Sequence, residues 1–231
     1  MGLRRALVAA GLLVFAILPC TAQTPPTPAE IEAYTGLHAA VVGGSTSEIE
    51  RLAREGTNIN ARESFGRTPL MIAAYRRDIA VARALIELGA NVNALDHQSY
   101  GAVTVAAVQD DVEMLRLLLS SGGNARAIVG PVGGTALMAA ARHGNAAAVE
   151  ALIDARAPVD HVDYLGSTAL LEAVEHATDD VRYLGVVKAL VEAGADLSQT
   201  NRAGKTALAV AKARGLVGIV TLLDAQPNQS Q

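Results

Sequence analysis

Apolar residues recur along the chain in one pattern that returns about every 33 residues. Each repeat begins with Thr or Gly, followed two positions later by Leu or Val and then by alanine. The six starts are Thr35, Thr68, Gly101, Thr135, Thr168 and Thr206, and only the last interval is clearly longer than the others. A second apolar landmark follows the first at a constant distance, as Leu85 follows Leu70, in every repeat but the fifth. Self-similarity at this period predicts stacked structural units.

The spacing within one repeat predicts two short antiparallel helices and a turn. A Thr such as Thr68 can cap the first helix with its hydroxyl, and Pro69 suits the first helical position because it lacks an N–H. Alanine pairs leave room for a neighbouring helix to approach closely. The second helix is expected to end at a glycine in the left-handed conformation. The expected stops are Gly56, Gly89, Gly122 and Gly194.

Two adjacent segments resemble the ankyrin-repeat family. Thr68-Pro69-Leu70 is followed by Ala73-Ala74, and residues 84–96 read Ala-Leu-Ile-Glu-Leu-Gly-Ala-Asn-Val-Asn-Ala-Leu-Asp. The resemblance covers about residues 34–224 and implies an all-α solenoid of about six repeats, each a helix-turn-helix with a projecting hairpin-like turn. The expected units are 34–66, 67–99, 100–133, 134–166, 167–204 and 205–224. The chain departs from the family pattern at Gly101, at Arg156-Ala157-Pro158 and at Ala125-Arg126.

Residues 1–22 have the layout of a cleaved secretory signal peptide. Arg4 and Arg5 precede an apolar run at 6–19, and Cys20-Thr21-Ala22 places small residues before a cut at Gln23. The run is shorter than the roughly 20 residues that cross a bilayer, which disfavours an uncleaved anchor. Leu18-Pro19 fits lipid attachment at Cys20 poorly. We therefore expect a periplasmic protein, with an extracellular or membrane-anchored protein as alternatives.

The two ends of the array carry features that suit an exposed terminus. Residues 23–33 form a Pro-rich leader in which Thr27 and Glu30 have the spacing of a capping box, so a helix is expected to start there and run through Tyr34. In the last repeat Lys212 stands where most repeats have Ala, as expected where no further unit covers the helices. Residues 225–231 are expected to form a loose tail.

Composition and charge exclude several classes of partner. Without residues 1–22 the chain has 17 basic and 23 acidic residues, a net charge of −6 with His neutral, and no cysteine. A mildly acidic protein without a basic stripe is a poor nucleic-acid binder, and a chain without cysteine gains no stability from disulfides. We expect no nucleic-acid partner, no membrane contact after signal cleavage, and a monomer.

No arrangement of residues in the sequence points to catalysis. The mature chain has no thiol nucleophile, no glycine loop with a phosphate-binding lysine and no His-Glu-x-x-His pair. Asp160-His161-Val162-Asp163 contains three residues of metal-ligating type, but it falls on a predicted turn, where such residues are commonly solvated. His38 stands where the family usually has a structural His. We expect no enzyme activity, no metal and no cofactor.

The resemblance implies that a partner protein is bound by the hairpin tips and the inner face of the first helices. The six aromatic residues of the mature chain avoid the repeat's core landmarks. We expect them to be exposed, and aromatic side chains beside Arg, His and Gln are typical of interface hot spots. The candidate contact residues are Phe65, Arg67, Tyr75, Arg76, His97, Gln98, Tyr100, Gln109, Arg142, His143, Tyr164, Glu175, His176, Arg202 and Lys205.

Two structural alternatives stay open at this point. The aromatic rings can instead stack on adjacent hairpins and stiffen the array, and one ring can do both. Residues 178–185 carry the extra residues of the fifth repeat, in which Leu170 and Leu190 are further apart than the landmarks of the other repeats. They are expected to lengthen the connection between its helices, as either a functional or a merely tolerated loop.

These patterns predict a non-enzymatic protein-binding module that acts in the bacterial periplasm. Basic residues outnumber acidic ones among the candidates, which suggests a partner with an acidic patch. One alternative is an immunity or inhibitor protein that blocks a toxic enzyme. Another is an accessory factor that protects a periplasmic enzyme such as a catalase, a role linked to related secreted ankyrin proteins.

Overall fold

A computed structural model describes residues 25–178 and 181–226. The predicted signal peptide, Cys20 and the cleavage site before Gln23 lie outside the described residues. So do residues 179 and 180 of the predicted insertion and residues 227–231 of the predicted tail.

The described part of the chain contains α-helices and turns, with no strand assigned in it. The helices are α1 (Pro28–Ala33), α2 (Gly36–Val42), α3 (Thr46–Arg54), α4 (Pro69–Tyr75), α5 (Ile79–Glu87), α6 (Ala102–Val108), α7 (Val112–Ser120), α8 (Ala136–Arg142), α9 (Ala146–Asp154), α10 (Ala169–His176), α11 (Val181–Glu192), α12 (Ala207–Arg214) and α13 (Val217–Asp224). After the short leader helix α1, they form six pairs.

Each helix pair packs mainly against the pairs next to it. The first helices form one layer, in which α2, α4, α6, α8, α10 and α12 contact their neighbours in that order. The second helices form the other layer, from α3 through α5, α7, α9 and α11 to α13. Contacts of this nearest-neighbour kind define a solenoid. The predicted all-α solenoid of six helix pairs is confirmed.

The helix boundaries follow the residues that the sequence marks as caps. The Oγ1 atoms of Thr68, Thr135, Thr168 and Thr206 each accept a hydrogen bond from the backbone N–H three residues on. Thr35 makes no such bond, so its predicted cap is wrong. All four predicted glycine stops are left-handed, with φ between 85° and 91°.

The core is built from small apolar residues, as the composition requires. Buried leucines at the repeat landmarks, such as Leu70, Leu85 and Leu152, pack around alanines that are fully enclosed between neighbouring helices. Leu52, in the second helix of the first pair, and Leu208, in the first helix of the last pair, are only half-buried. Within the described residues, each of these end pairs has a neighbouring pair on one side only.

The hairpin turns are organised by one recurring polar acceptor. Glu63 Oε1 accepts hydrogen bonds from two backbone N–H groups, two and four residues further on. The Oδ1 atoms of Asp96, Asp163 and Asn201 do the same in their own hairpins. The third hairpin has Val129 at this position and lacks the acceptor, so it is closed only by the backbone bond from the Val129 N–H to the Gly134 carbonyl oxygen, which has an equivalent in the other hairpins.

The leader helix begins as the sequence predicts. Thr27 Oγ1 accepts from the Glu30 N–H at 3.3 Å, and Glu30 Oε2 accepts from the Thr27 N–H at 2.6 Å. The helix ends at Ala33, and Tyr34 is extended with ψ of 139°. No residue of α1 is buried, so the leader lies on the surface of the array.

The insertion of the fifth repeat mainly extends a helix, whereas the predicted lengthening of the connection amounts to one residue, four between α10 and α11 against three in the second to fourth repeats. α11 has 12 residues, whereas α5, α7 and α9 have nine. Tyr183, in the added part of α11, is buried against Gly144, and its hydroxyl donates to the Arg142 carbonyl oxygen at 3.0 Å. The insertion therefore ties the fifth unit to the C-terminal end of α8.

At the C-terminal end of the array, the predicted polar substitution faces solvent. Lys212 is exposed, and its Nζ lies 3.1 Å from an Asp224 carboxylate oxygen in the neighbouring helix α13. A charged residue at this place keeps the uncovered face of the last pair compatible with water.

Candidate protein-binding surface

The first four hairpin tips form a continuous row along one edge of the array, because backbone hydrogen bonds link each of them to the next. The His97 N–H donates to the Phe65 carbonyl oxygen at 3.1 Å, and the Gly130 N–H donates to that of Ser99 at 2.9 Å. The Tyr164 N–H donates to the Val132 carbonyl oxygen, also at 2.9 Å. The tips are therefore held in fixed positions relative to one another, and their side chains make up a preformed surface.

The aromatic residues divide into an exposed and a buried group. Phe65 is 52% exposed and Tyr164 is 74% exposed, in agreement with the prediction. Tyr100 is only 4% exposed and Tyr183 is 8% exposed, so the expected exposure is wrong for both. Tyr100 lies where its hairpin returns to α6, and its ring packs over Gly130 of the next hairpin.

Two further tyrosines are also more enclosed than expected. Tyr34 and Tyr75 are half-buried, and their hydroxyl oxygens are fully enclosed by protein. Burial raises the pKa of both hydroxyls. Neither hydroxyl is available at the surface for a partner, and Tyr75 can offer only part of its ring.

The geometry supports both alternatives for the side chains at the tips, which can stack on adjacent hairpins and also remain exposed to a partner. A Cβ placed on Gly133 would lie 2.7 Å from the Tyr164 ring, and one placed on Gly66 would lie 2.5 Å from the His97 ring. These side chains therefore cover glycines of the preceding hairpin, which stiffens the row. Because Tyr164 is still 74% exposed, it retains a large free surface.

Arg67 does not lie on the surface as predicted. Its side chain is 4% exposed, with Nε 3.1 Å from Glu63 Oε1 and Nη2 3.2 Å from Glu30 Oε2. The Phe65 ring centre lies 4.8 Å from its Cζ atom. Burial alone would raise the pKa of Glu63, but the side-chain and backbone hydrogen bonds from Arg67 lower it. Arg67 therefore joins the leader to the first hairpin and is a structural residue.

On the inner face, several predicted contact residues are engaged in bonds between repeats. Gln109 donates to the Tyr75 carbonyl oxygen at 3.2 Å, and Glu175 accepts from Asn201 at 2.8 Å. Arg142 Nη1 lies 3.4 Å from the buried Glu172 carboxylate of the next repeat, whereas His176 Nδ1 approaches the same carboxylate at 3.5 Å from within its own helix α10. These polar groups stabilise the stack, which reduces what they can offer to a partner.

The remaining predicted residues are exposed at the tips or at the ends of inner helices. They are Arg76, His97, Gln98, His143, Arg202 and Lys205. Arg202 Nη2 also donates to the Tyr164 carbonyl oxygen at 2.7 Å. Partial burial, together with the nearby Arg142 and His176, lowers the pKa of His143 and favours its neutral form.

Two exposed apolar residues of the hairpins escaped the sequence prediction. Ile128 is 47% exposed and Val162 is 46% exposed. They occupy the same position in successive hairpins, one residue before Val129 and Asp163. Leu95 occupies this position in the second hairpin. An aliphatic residue that recurs within an otherwise polar turn is the sequence signal for them, whereas the predicted contact residues are all aromatic or polar.

The three residues of metal-ligating type in the fourth hairpin each have a structural partner. Asp160 Oδ1 accepts from the Asp196 N–H at 2.8 Å, and His161 Nε2 lies 2.7 Å from the Gly133 carbonyl oxygen. Asp163 is buried and accepts two backbone N–H groups. Within 25–178 and 181–226, no group of three His, Cys, Asp or Glu residues is placed to hold a metal ion.

A search of the same residues for a membrane span found no helix with the necessary length and apolar character.

Comparisons with known proteins agree with this architecture. A family model described as ankyrin repeats (3 copies) matches residues 11–96 and 103–201. A crystal structure of an ankyrin repeat domain from Acinetobacter baumannii AYE is 36% identical, with a TM-score of 0.76 over 81% of this chain and 95% of that chain. The ankyrin repeat protein EF0377 is 30% identical, with a TM-score of 0.76 over 84% of this chain and 100% of that chain.

A third solved structure is a complex between two proteins. It contains a predatory endopeptidase from Bdellovibrio bacteriovorus with an immunity protein, and the matching chain is 25% identical, with a TM-score of 0.71 over 84% of this chain and 99% of that chain. A search of curated proteins found no match. The helix pairs, the matching family model and the similar structures lead to one conclusion: this chain belongs to the ankyrin-repeat family.

Proposed function

We propose that this protein binds a partner protein in the bacterial periplasm through its hairpin tips, with the exposed ends of the inner helices as an accessory surface. Ankyrin repeats are protein–protein interaction modules, which is the general function of the fold. The observation that carries the finer proposal is the placement of exposed large apolar residues. Four of the five that occur in 25–178 and 181–226 lie on hairpins: Phe65, Ile128, Val162 and Tyr164.

Rigidity of the tips favours binding. The backbone bonds between hairpins and the side chains packed on hairpin glycines fix the apolar groups before a partner arrives. Binding therefore costs less conformational entropy at this surface than it would at a mobile loop. Tyr164 also packs on Gly133, but all four side chains keep 46% or more of their surface exposed, because the helix pairs bury their own apolar faces without them.

Crosslinking in a periplasmic extract of the native host, followed by mass spectrometry, tests the proposal. The mature chain should capture a defined protein, and the double variant Phe65→Ala with Tyr164→Ala should capture much less of it. Val217→Ala is the matched control, since Val217 is 70% exposed but lies on α13, away from the hairpins. Equal capture by all three forms would contradict a role for the tips.

The periplasmic location has its own test. Signal cleavage predicts that N-terminal sequencing of protein from the periplasmic fraction begins at Gln23. A chain that retains residues 1–22 and sediments with membranes would instead indicate an anchor.

An inhibitor or immunity protein is the second candidate. The observation that favours it is the similarity to a chain in the complex of a predatory endopeptidase with an immunity protein. Mixing this chain with the captured partner should then abolish a hydrolytic activity of that partner at equimolar ratio. A stable complex with unchanged activity would leave only the general binding function.

A further inference from the structure

The third and fourth hairpins present neighbouring apolar side chains to solvent. Ile128 and Val162 occupy equivalent positions, and Tyr164 follows Val162 by two positions. Asp163, between the last two, is buried. Val162 and Tyr164 are both exposed on either side of it. We define Ile128, Pro131, Val162 and Tyr164 as the apolar hairpin patch; Pro131 is an exposed residue of the third hairpin.

The two hairpins that carry the patch are held together. The Tyr164 N–H donates to the Val132 carbonyl oxygen at 2.9 Å, and His161 Nε2 lies 2.7 Å from the Gly133 carbonyl oxygen. The Tyr164 ring covers Gly133. These contacts fix the patch as one surface that spans two repeats.

The third hairpin departs from the repeat pattern in a way that the fold does not require. Residues 128–134 read Ile-Val-Gly-Pro-Val-Gly-Gly, one residue longer than the equivalent turns and without the polar acceptor that closes them. The Val129 N–H donates to the Gly134 carbonyl oxygen at 2.8 Å, and the other hairpins have an equivalent backbone bond, so this hairpin keeps the bond but lacks the side-chain acceptor. Ile128 stays 47% exposed, whereas Val129 is buried. The apolar character of Ile128 therefore serves the outer surface of the hairpin.

Arginines stand on the hairpins at and beside the patch. Arg126 Nη1 donates to the Arg156 carbonyl oxygen at 3.2 Å, and Arg202 Nη2 donates to that of Tyr164 at 2.7 Å. A guanidinium has five donors in a fixed fork, so one backbone bond positions it while leaving capacity for a carboxylate. The nearby Asp160 and Asp163 carboxylates accept backbone N–H groups of the hairpins.

We propose that the apolar hairpin patch binds an extended segment of the partner protein in which apolar side chains are flanked by Asp or Glu. This inference rests on the proposed function and names its anchor site and the chemistry of its partner. Apolar side chains of the segment cover Ile128, Val162 and Tyr164, and its carboxylates pair with Arg126 and Arg202. The mature chain as a whole has a net charge of −6, so its surface away from these arginines repels acidic groups and directs such a segment to the hairpins.

Selection from a phage-displayed library of random dodecapeptides on the immobilised mature chain tests this inference. Enriched peptides should combine aromatic or aliphatic residues with Asp or Glu. Their synthetic versions should bind the double variant Ile128→Ser with Val162→Ser at least about tenfold more weakly. Val217→Ser, which removes an equally accessible apolar side chain on α13, should bind them like the unaltered chain.

A second pair of variants tests the charges. Arg126→Gln with Arg202→Gln should weaken peptide binding severalfold at low salt and make it less dependent on salt. The circular dichroism spectrum should stay unchanged in both double variants and the unfolding midpoint should fall by at most a few degrees, because all four side chains lie on the surface and each arginine loses one exposed hydrogen bond.

The outcomes separate this inference from the proposed function. Peptides that bind the patch variants as tightly as the unaltered chain, but no longer bind a variant with Arg76→Ser and His143→Ser, would show that the patch is not the anchor. Binding of peptides by the array would then still stand. Enriched peptides without acidic residues would overturn the stated chemistry. If no peptide is enriched, or if light scattering shows a dimer of this chain that the patch variants abolish, the patch does not bind a partner segment. The crosslinking experiment above judges the proposed function independently.

Discussion

Two hairpin tyrosines should lose very different amounts of stability when their rings are removed. Tyr100 is 4% exposed, whereas Tyr164 is 74% exposed. Replacing a fully buried aromatic residue by Ala costs about 3–5 kcal/mol, because both transfer free energy and packing are lost. Since nearly all of Tyr100 is covered, Tyr100→Ala should lower the free energy of unfolding by close to that amount. With about a quarter of Tyr164 covered, Tyr164→Ala should lower it by about 1 kcal/mol.

Urea unfolding followed by circular dichroism measures both changes. At about 2–4 °C per kcal/mol for a chain of this size, Tyr164→Ala should also lower the thermal midpoint by only a few degrees. In a binding assay Tyr164→Ala should lose affinity while folded, and Tyr100→Ala should lose it only as far as it unfolds. Equal stability losses for the two variants, or a loss below about 1 kcal/mol for Tyr100→Ala, would refute the assigned division between core and surface.

Three further predictions concern the backbone and pH. Arg156 has a φ of 61° where four other repeats have Gly, so Arg156→Gly should raise the free energy of unfolding by about 1 kcal/mol in a urea titration, and Arg156→Ala should give no gain. Gly133 and Gly204 have similar φ values of 70° and 68°, but a Cβ would meet the Tyr164 ring at Gly133 and no atom at Gly204. Gly133→Ala should therefore lower the thermal midpoint more than Gly204→Ala does. Equal losses for the two variants would contradict the ring contact. Burial lowers the pKa of His38, so the unfolded chain takes up its proton first as the pH falls below about 6.5, and stability should decline there. His38→Gln should reduce the fall of the thermal midpoint between about pH 7.5 and 5.5, and the remainder should come from His143, whose pKa is also lowered.

The repeat period was sufficient to predict the array because every unit uses the same local rules. The Thr caps and the left-handed glycines depend on interactions within one helix pair, and the constant spacing of the Leu landmarks places both helices on a shared core. Such features can be read from the residues of a single repeat. The predictions for Thr68 and Gly89 needed no knowledge of neighbouring units, and both are confirmed.

The environment of the candidate site could not be predicted in the same way, because contacts between units decide it. Tyr100 and Tyr164 both precede a repeat start by a few residues, yet only Tyr100 turns inward. Arg67 looks like a surface cation in the sequence, but Glu63 of its own hairpin and Glu30 of the leader enclose it. The insertion illustrates the same limit, since Tyr183 is placed by its bond to Arg142 in the preceding unit.

Contacts between units also indicate where binding specificity can vary in this array. The C-terminal ends of inner helices receive side chains from adjacent repeats: Gln109 donates to the Tyr75 carbonyl oxygen, and Arg214 donates to those of Val174 and Glu175. A substitution there disturbs a bond of the stack and is constrained by folding. Ile128 and Val162 make no comparable contribution to the core, so selection can change them without unfolding the chain. Hairpin residues of this kind are therefore where a partner's chemistry can be matched independently of stability.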